Sequence, residues 1–120
     1  MSETKKTAFA ACNDYSSENV RAALESVIDR LGGLDWVRPG MRVGIKLNLC
    51  AARKSEQAAT THPALAAELT RMLTERGAVV VLGDSPGEPF TASVMNRIYT
   101  VCGMEEAERA GGELNRNFGH

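Results

Sequence analysis

The stretch "HPALAAELTRMLTERGAVVVLGD" (residues 62–84) decides the fold of this chain. Its first half repeats apolar residues at helical spacing. They are Leu65, Leu69, Met72 and Leu73. Pro63 suits the first helical turn, and Gly77 is placed to end the helix. Residues 78–83 form an apolar run typical of a parallel strand buried on both faces, so the segment indicates a βαβ unit.

Weaker patterns on either side extend this unit. Upstream, the sequence predicts a first strand at residues 7–12, a first helix at about 17–31 and a second strand at 42–49. Downstream, Thr91 can cap a third helix, and a short helix follows at about 104–110. The resulting β-α-β-α-β-α order predicts an α/β fold, with helices packed on an open, mostly parallel sheet of three to four strands.

The size of the predicted sheet bears on domain organisation. The sequence predicts only three to four strands, whereas sheets usually have about five or six strands. The tail, residues 111–120, shows no further convincing strand. The domain is therefore either minimal or incomplete. We interpret residues 1–120 as a single α/β domain that is the truncated, amino-terminal portion of a larger one.

Composition narrows the classes of function. Fourteen basic and fifteen acidic residues give a net charge of -1, so we expect neither a nucleic-acid nor a membrane partner. No run reaches the roughly 18 apolar residues of a membrane helix, and we expect a cytoplasmic protein. Cys12, Cys50 and Cys102 are far apart and outside any C-x-x-C motif, which predicts reduced thiols.

Polar residues interrupt the second strand and predict a site. One face of residues 43–49, which include "IKLNL", carries Val43, Ile45, Leu47 and Leu49. The other face carries Lys46 and Asn48. In open parallel sheets, ligands bind outside the carboxyl ends of the strands. Three polar segments should meet there. The predicted ligand-binding residues are Lys46, Asn48, Thr60, Thr61, His62, Asp84 and Ser85.

These residues suit a small anion. A helix amino end offers N–H groups, the two threonines offer hydroxyls, and Lys46 adds positive charge. Asp84 could hold a divalent cation, orient a substrate or act as a base, and His62 could be an acid, a base or a metal ligand. Structural alternatives remain open: Lys46 pairs with Asp84, His62 caps the helix, and "GDSPG" is a turn.

The motifs together resemble the amino-terminal part of the family called domain of unknown function 362. The resemblance runs over about residues 8–117, with T-H-P at 61–63 and G-D-S-P at 83–86. The family's K-P-N motif reads Lys46-Leu47-Asn48 here. The resemblance implies a prokaryotic protein linked to ferredoxin-type domains with [4Fe–4S] clusters, although this chain lacks a cluster-binding cysteine motif.

Three hypotheses about function follow. The leading one is an α/β module that binds a small anionic ligand, with or without a metal ion. A second is an interaction module that completes its sheet with a partner or a second copy as a homo-oligomer, because an exposed strand edge is a pairing surface. A third, implied by the resemblance alone, is a redox-linked component beside a ferredoxin-type partner.

Overall fold

A computed structural model describes residues 6–49, 52–84 and 91–116. In chain order these form α1 (Ser17–Arg30), β1 (Arg42–Lys46), α2 (Pro63–Thr74), β2 (Val79–Gly83), α3 (Ala92–Val101), α4 (Glu105–Arg109) and β3 (Glu113–Leu114). A 3-10 turn, Ser55–Gln57, lies between β1 and α2. No helix within the described ranges is long and apolar enough to cross a membrane.

The three strands form one parallel sheet in the order β1-β2-β3. Ile45 pairs with Leu82 in the register, and Leu82 pairs in turn with Leu114. Because partners in a parallel register share a face, these three side chains point the same way. The predicted α/β class, with an open parallel sheet and packed helices, is confirmed.

The predicted first strand at residues 7–12 is wrong, because this segment is irregular and mostly exposed. Phe9 is 79% exposed, and its carbonyl accepts a hydrogen bond from the Arg30 side chain. The third strand is instead β3, in the tail that showed no strand signal. Its two residues are too few for a propensity pattern, and long-range contact with β2 forms it.

Helix ends follow the local signals. Ser16 caps α1 by accepting from the Asn19 N–H, and Thr91 caps α3 by accepting from the Val94 N–H. Gly77 has a φ of 86°, the left-handed conformation that commonly follows a helix and that glycine adopts without strain. The predicted starts of both helices are confirmed.

The core lies between the sheet and helices α2, α3 and α4. Its most deeply buried residues are Leu47, Leu49, Val80, Leu82, Met95, Ile98, Tyr99, Cys102, Met104 and Ala107. Val43 and Ile45 pack against this core, while Lys46 and Asn48 are exposed. The predicted division of the second strand into an apolar and a polar face is therefore confirmed.

A charged side chain is also buried at the contact between α1 and α2. Glu68 is 1% exposed and accepts hydrogen bonds from Ser17, Arg21 and Arg71. Burial raises the pKa of Glu68, but the hydrogen bonds and the two arginine charges outweigh burial and leave it below its usual value. The carboxylate is thus kept charged as a bridge between the two helices.

Candidate functional site

The carboxyl edge of the sheet brings the first and third polar segments into contact. The Lys46 ammonium lies 2.9 Å from the Asp84 carboxylate. The other oxygen of Asp84 accepts from the Leu49 N–H at 2.7 Å. The Asp84 side chain is 5% exposed and that of Lys46 is 80% exposed. Asp84 is therefore a fixed, shielded carboxylate that holds an ammonium facing solvent.

The second polar segment is attached to the same stretch through the backbone. The Thr61 N–H donates to the Asn48 carbonyl at 2.8 Å, and the Asn48 N–H donates to the Thr61 hydroxyl at 2.9 Å. Residues 47–49, which continue β1, are thus held by Thr61 on one side and Asp84 on the other. The three polar segments are therefore adjacent, although their side chains do not line one common site.

The amino end of α2 differs from the expectation that its N–H groups face a ligand. His62 is the N-cap residue, and its Nδ1 accepts from the Ala64 N–H at 3.1 Å. The Leu65 and Ala66 N–H groups donate to the His62 carbonyl, and Pro63 has no N–H. The first turn therefore satisfies its own donors. Because Nδ1 is an acceptor, the neutral ring carries its hydrogen on Nε2.

A ring contact that the sequence did not suggest fixes the His62 side chain. The Tyr15 and His62 rings are stacked, with centroids 3.5 Å apart and planes inclined by 3°. Tyr15 lies just before the cap of α1, and no local spacing relates it to a residue in another segment. The contact ties the irregular amino-terminal segment to the start of α2.

The predicted site residues divide between two places. Thr60, Thr61 and His62 line a cleft of about 510 Å³ between α1 and the amino-terminal segment. The sheet edge, by contrast, carries Lys46 and Asp84. Ser85 lies outside the described residues. The sequence predicted one site, whereas the tertiary structure has a charged edge and a separate cleft.

The side chain of Thr60 has an unusual environment within this cleft. Its hydroxyl oxygen is shielded from solvent and has no hydrogen-bond partner among residues 6–49, 52–84 and 91–116. Leaving a buried hydroxyl unsatisfied costs about 1–3 kcal/mol. A group that reached this oxygen would remove that cost.

Tyr99 and its neighbours form the part of the edge that sequence reasoning missed. The Tyr99 hydroxyl donates to the Asn115 carbonyl at 2.6 Å, and Arg116 lies over the Tyr99 ring at 5.8 Å from its centroid. Burial, together with the charge of Asp84, raises the pKa of Tyr99. Their roles depend on β3, which no sequence pattern indicated.

The cysteines do not fit the iron–sulfur cluster that the resemblance implies for the wider family. A [4Fe–4S] cluster is usually held by four cysteines, and this chain has three. Cys12 is exposed and Cys102 is fully buried, while Cys50 lies outside the described residues. In the described parts of the chain, no group of three or more His, Cys, Asp or Glu side chains is placed to hold a metal ion.

Comparison with known proteins establishes the family. Residues 43–118 match the family described as Domain of unknown function (DUF362), and the chain belongs to it. It is 29% identical over 83 residues to the thylakoid-associated protein sll1697 of Synechocystis sp.. That match covers 68% of this chain and 26% of the relative, so the chain spans about a quarter of the relative's length. No solved structure matches the chain.

Proposed function

We propose that this member of a family of unknown function binds a small anionic ligand, bearing a carboxylate or phosphate group, at the carboxyl edge of its sheet. The observation that carries the proposal is the Lys46–Asp84 pair. The Lys46 side chain is 80% exposed, whereas the side chain of its partner Asp84 is only 5% exposed. In open parallel sheets this edge is where ligands bind.

Lys46 is suited to be the cationic contact. An ammonium has three donors, and the bond to Asp84 accounts for one. The buried carboxylate limits the positions the long side chain adopts, so less conformational entropy is lost when an anion binds. Asn48 is exposed two residues further along the same stretch and can add amide donors. A divalent cation that accompanies the anion belongs to the same proposal, because it would neutralise further anion charge.

The test is a thermal-shift titration with inorganic phosphate, pyrophosphate and citrate at constant ionic strength, with and without Mg²⁺. We expect at least one anion to raise the melting temperature of the wild type and to lose this effect in Lys46→Met. Lys54→Met, which removes an exposed lysine from the neighbouring loop, is the matched control and should respond as the wild type does. Equal responses in both variants, or none in the wild type, would refute the proposal.

A second function, an interaction module, is favoured by the position of β1. No strand in the described ranges pairs with its outer edge, so the backbone groups of alternate residues, including Gly44, face outward there. An added strand from a second copy would extend the sheet. Sedimentation over a wide concentration range should then show self-association that Gly44→Pro weakens, since proline removes the outward N–H. A wild type that stays monomeric throughout would exclude pairing between copies.

A further inference from the structure

One face of the sheet carries no helix within the described ranges of the chain. Crossovers between parallel strands are right-handed, and with the order β1-β2-β3 this places both connecting segments on the same side. On that side Val80, Leu82 and Leu114 belong to the core. The alternate strand positions point to the opposite side. They are Arg42, Gly44, Lys46, Val79, Val81 and Glu113, and we call them the open face.

The open face is incompletely buried although it belongs to a parallel sheet. Val79 and Val81 lie on the central strand, yet both are partly exposed and neither packs against the core. The three residues that β1 contributes are all exposed. Purely parallel sheets normally carry helices on both faces. The open face is therefore a surface that a further helix would complete.

Charge is distributed unevenly across the open face. The register aligns Gly44, Val81 and Glu113 in one row, and Arg42 with Val79 in another. The strand β1 thus contributes cations, β2 apolar side chains and β3 an anion. Neither Arg42 nor Glu113 forms an ion pair with another described residue. A complementary occupant carries acidic groups over β1, an apolar strip over β2 and a basic group over β3.

The dimensions of the open face match one α-helix. Neighbouring strands lie about 4.8 Å apart, so three strands span about 10 Å, which is the diameter of a helix with its side chains. Five strand residues extend about 16 Å, the length of about 11 helical residues. A side chain at Gly44 would meet no other atom within 4 Å of its Cβ. This hollow has room for a side chain that protrudes from a helix, whereas a flat sheet from a second copy would leave it unfilled.

We infer that the open face docks an amphipathic α-helix of a partner protein, whose apolar strip is flanked by acidic residues on one side and basic residues on the other. The strip packs on Val79 and Val81. The acidic side meets Arg42, and the basic side meets Glu113. The surface is distinct from the proposed anion site, with which it shares Lys46 alone.

The experiment measures the fluorescence anisotropy of a labelled, lactam-stapled helical peptide of about 14 residues, long enough to cover the strands. Its leucine strip is flanked by glutamates on one side and lysines on the other. We expect a Kd of about 10–100 µM for the wild type, as suits a small interface. A scrambled peptide of the same composition, and a counterpart in which lysine replaces every glutamate, should bind at least about ten-fold more weakly.

A matched pair of variants and one filling variant locate the peptide. Arg42→Glu should weaken binding about five- to ten-fold, whereas Arg38→Glu, at an exposed position before β1 and outside the open face, should leave it unchanged. Gly44→Tyr fills the hollow and should abolish binding, and because tyrosine favours strands the variant should fold, which a melting curve verifies.

Four results would overturn the inference. They are no binding of the glutamate peptide to the wild type, equal binding of the glutamate and lysine peptides, equal effects of the two arginine variants, and undiminished binding by Gly44→Tyr. Sedimentation that shows self-association of the wild type, abolished by Gly44→Tyr, would assign the open face to a second copy and would overturn it as well.

Discussion

Replacement of Thr60 by valine should stabilise the empty protein. Valine has nearly the same shape as threonine but replaces the hydroxyl with a methyl group. In the native fold the Thr60 hydroxyl is shielded and has no partner among the described residues, so the protein pays for desolvating it and gains no bond. That cost is about 1–3 kcal/mol, and we expect the valine variant to recover the larger part of it.

The expected net effect is an increase of about 1–2 kcal/mol in the free energy of unfolding. For a domain of this size that corresponds to a rise of about 3–8 °C in the melting temperature. Urea unfolding followed by circular dichroism measures the first quantity, and calorimetry measures the second.

Thr70→Val is the internal control. The Thr70 hydroxyl is also buried, but it donates to the Ala66 carbonyl at 2.7 Å. Removing that bond should lower stability by about 0.5–1 kcal/mol. The two substitutions are chemically identical and should have opposite signs. A Thr60→Val protein that is destabilised as much as Thr70→Val would show that the Thr60 hydroxyl has a partner and would refute the reasoning.

Three further predictions concern charged and polar groups in the fold. Glu68→Gln should cost about 2 kcal/mol, because it weakens hydrogen bonds to a charged group. Because the folded pKa of Glu68 lies below its ordinary value of 4.5, the wild type should lose this contribution as the pH falls through the folded pKa, and the variant should show a flatter pH dependence in urea unfolding. Asp84→Asn should lower the free energy of unfolding by about 2 kcal/mol, because two charge-assisted hydrogen bonds end on its shielded carboxylate. Lys46→Met should lower it by less than about 1 kcal/mol, because Lys46 is exposed. Equal losses of stability in the two variants would contradict this difference. Tyr99→Phe should cost about 1 kcal/mol by removing the bond to the Asn115 carbonyl, and hydrogen exchange near β3 should rise.

Several parts of the fold could be predicted because their signals are local. The helix that begins at Pro63, the strand of residues 79–83 and the Thr91 cap each depend on side chains within a few positions of one another. The two faces of residues 43–49 follow from the two-residue period of a strand. Such patterns depend on which side chains of a segment face the core. They can therefore be recognised without knowing which other segment packs against them.

The candidate site was predictable only in part. The rule for parallel sheets brought Lys46 and Asp84 together, and their 2.9 Å contact agrees with it. The same rule does not predict whether Lys46 and Asp84 pair with each other or how the His62 ring is oriented. Those outcomes depend on distances of an ångström or less between segments, which sequence spacing does not encode.

The sequence by itself determined the βαβ core, the apolar and polar faces of the second strand and the start of α2. Only the tertiary structure decided that β3, and not residues 7–12, is the third strand of the described sheet, and that Tyr15 stacks on His62. It also divided the predicted site into a charged edge and an uncharged cleft. The physical reason is that periodicity and capping arise from neighbouring residues, whereas strand pairing, ring stacking and cavities arise from the packing of distant ones.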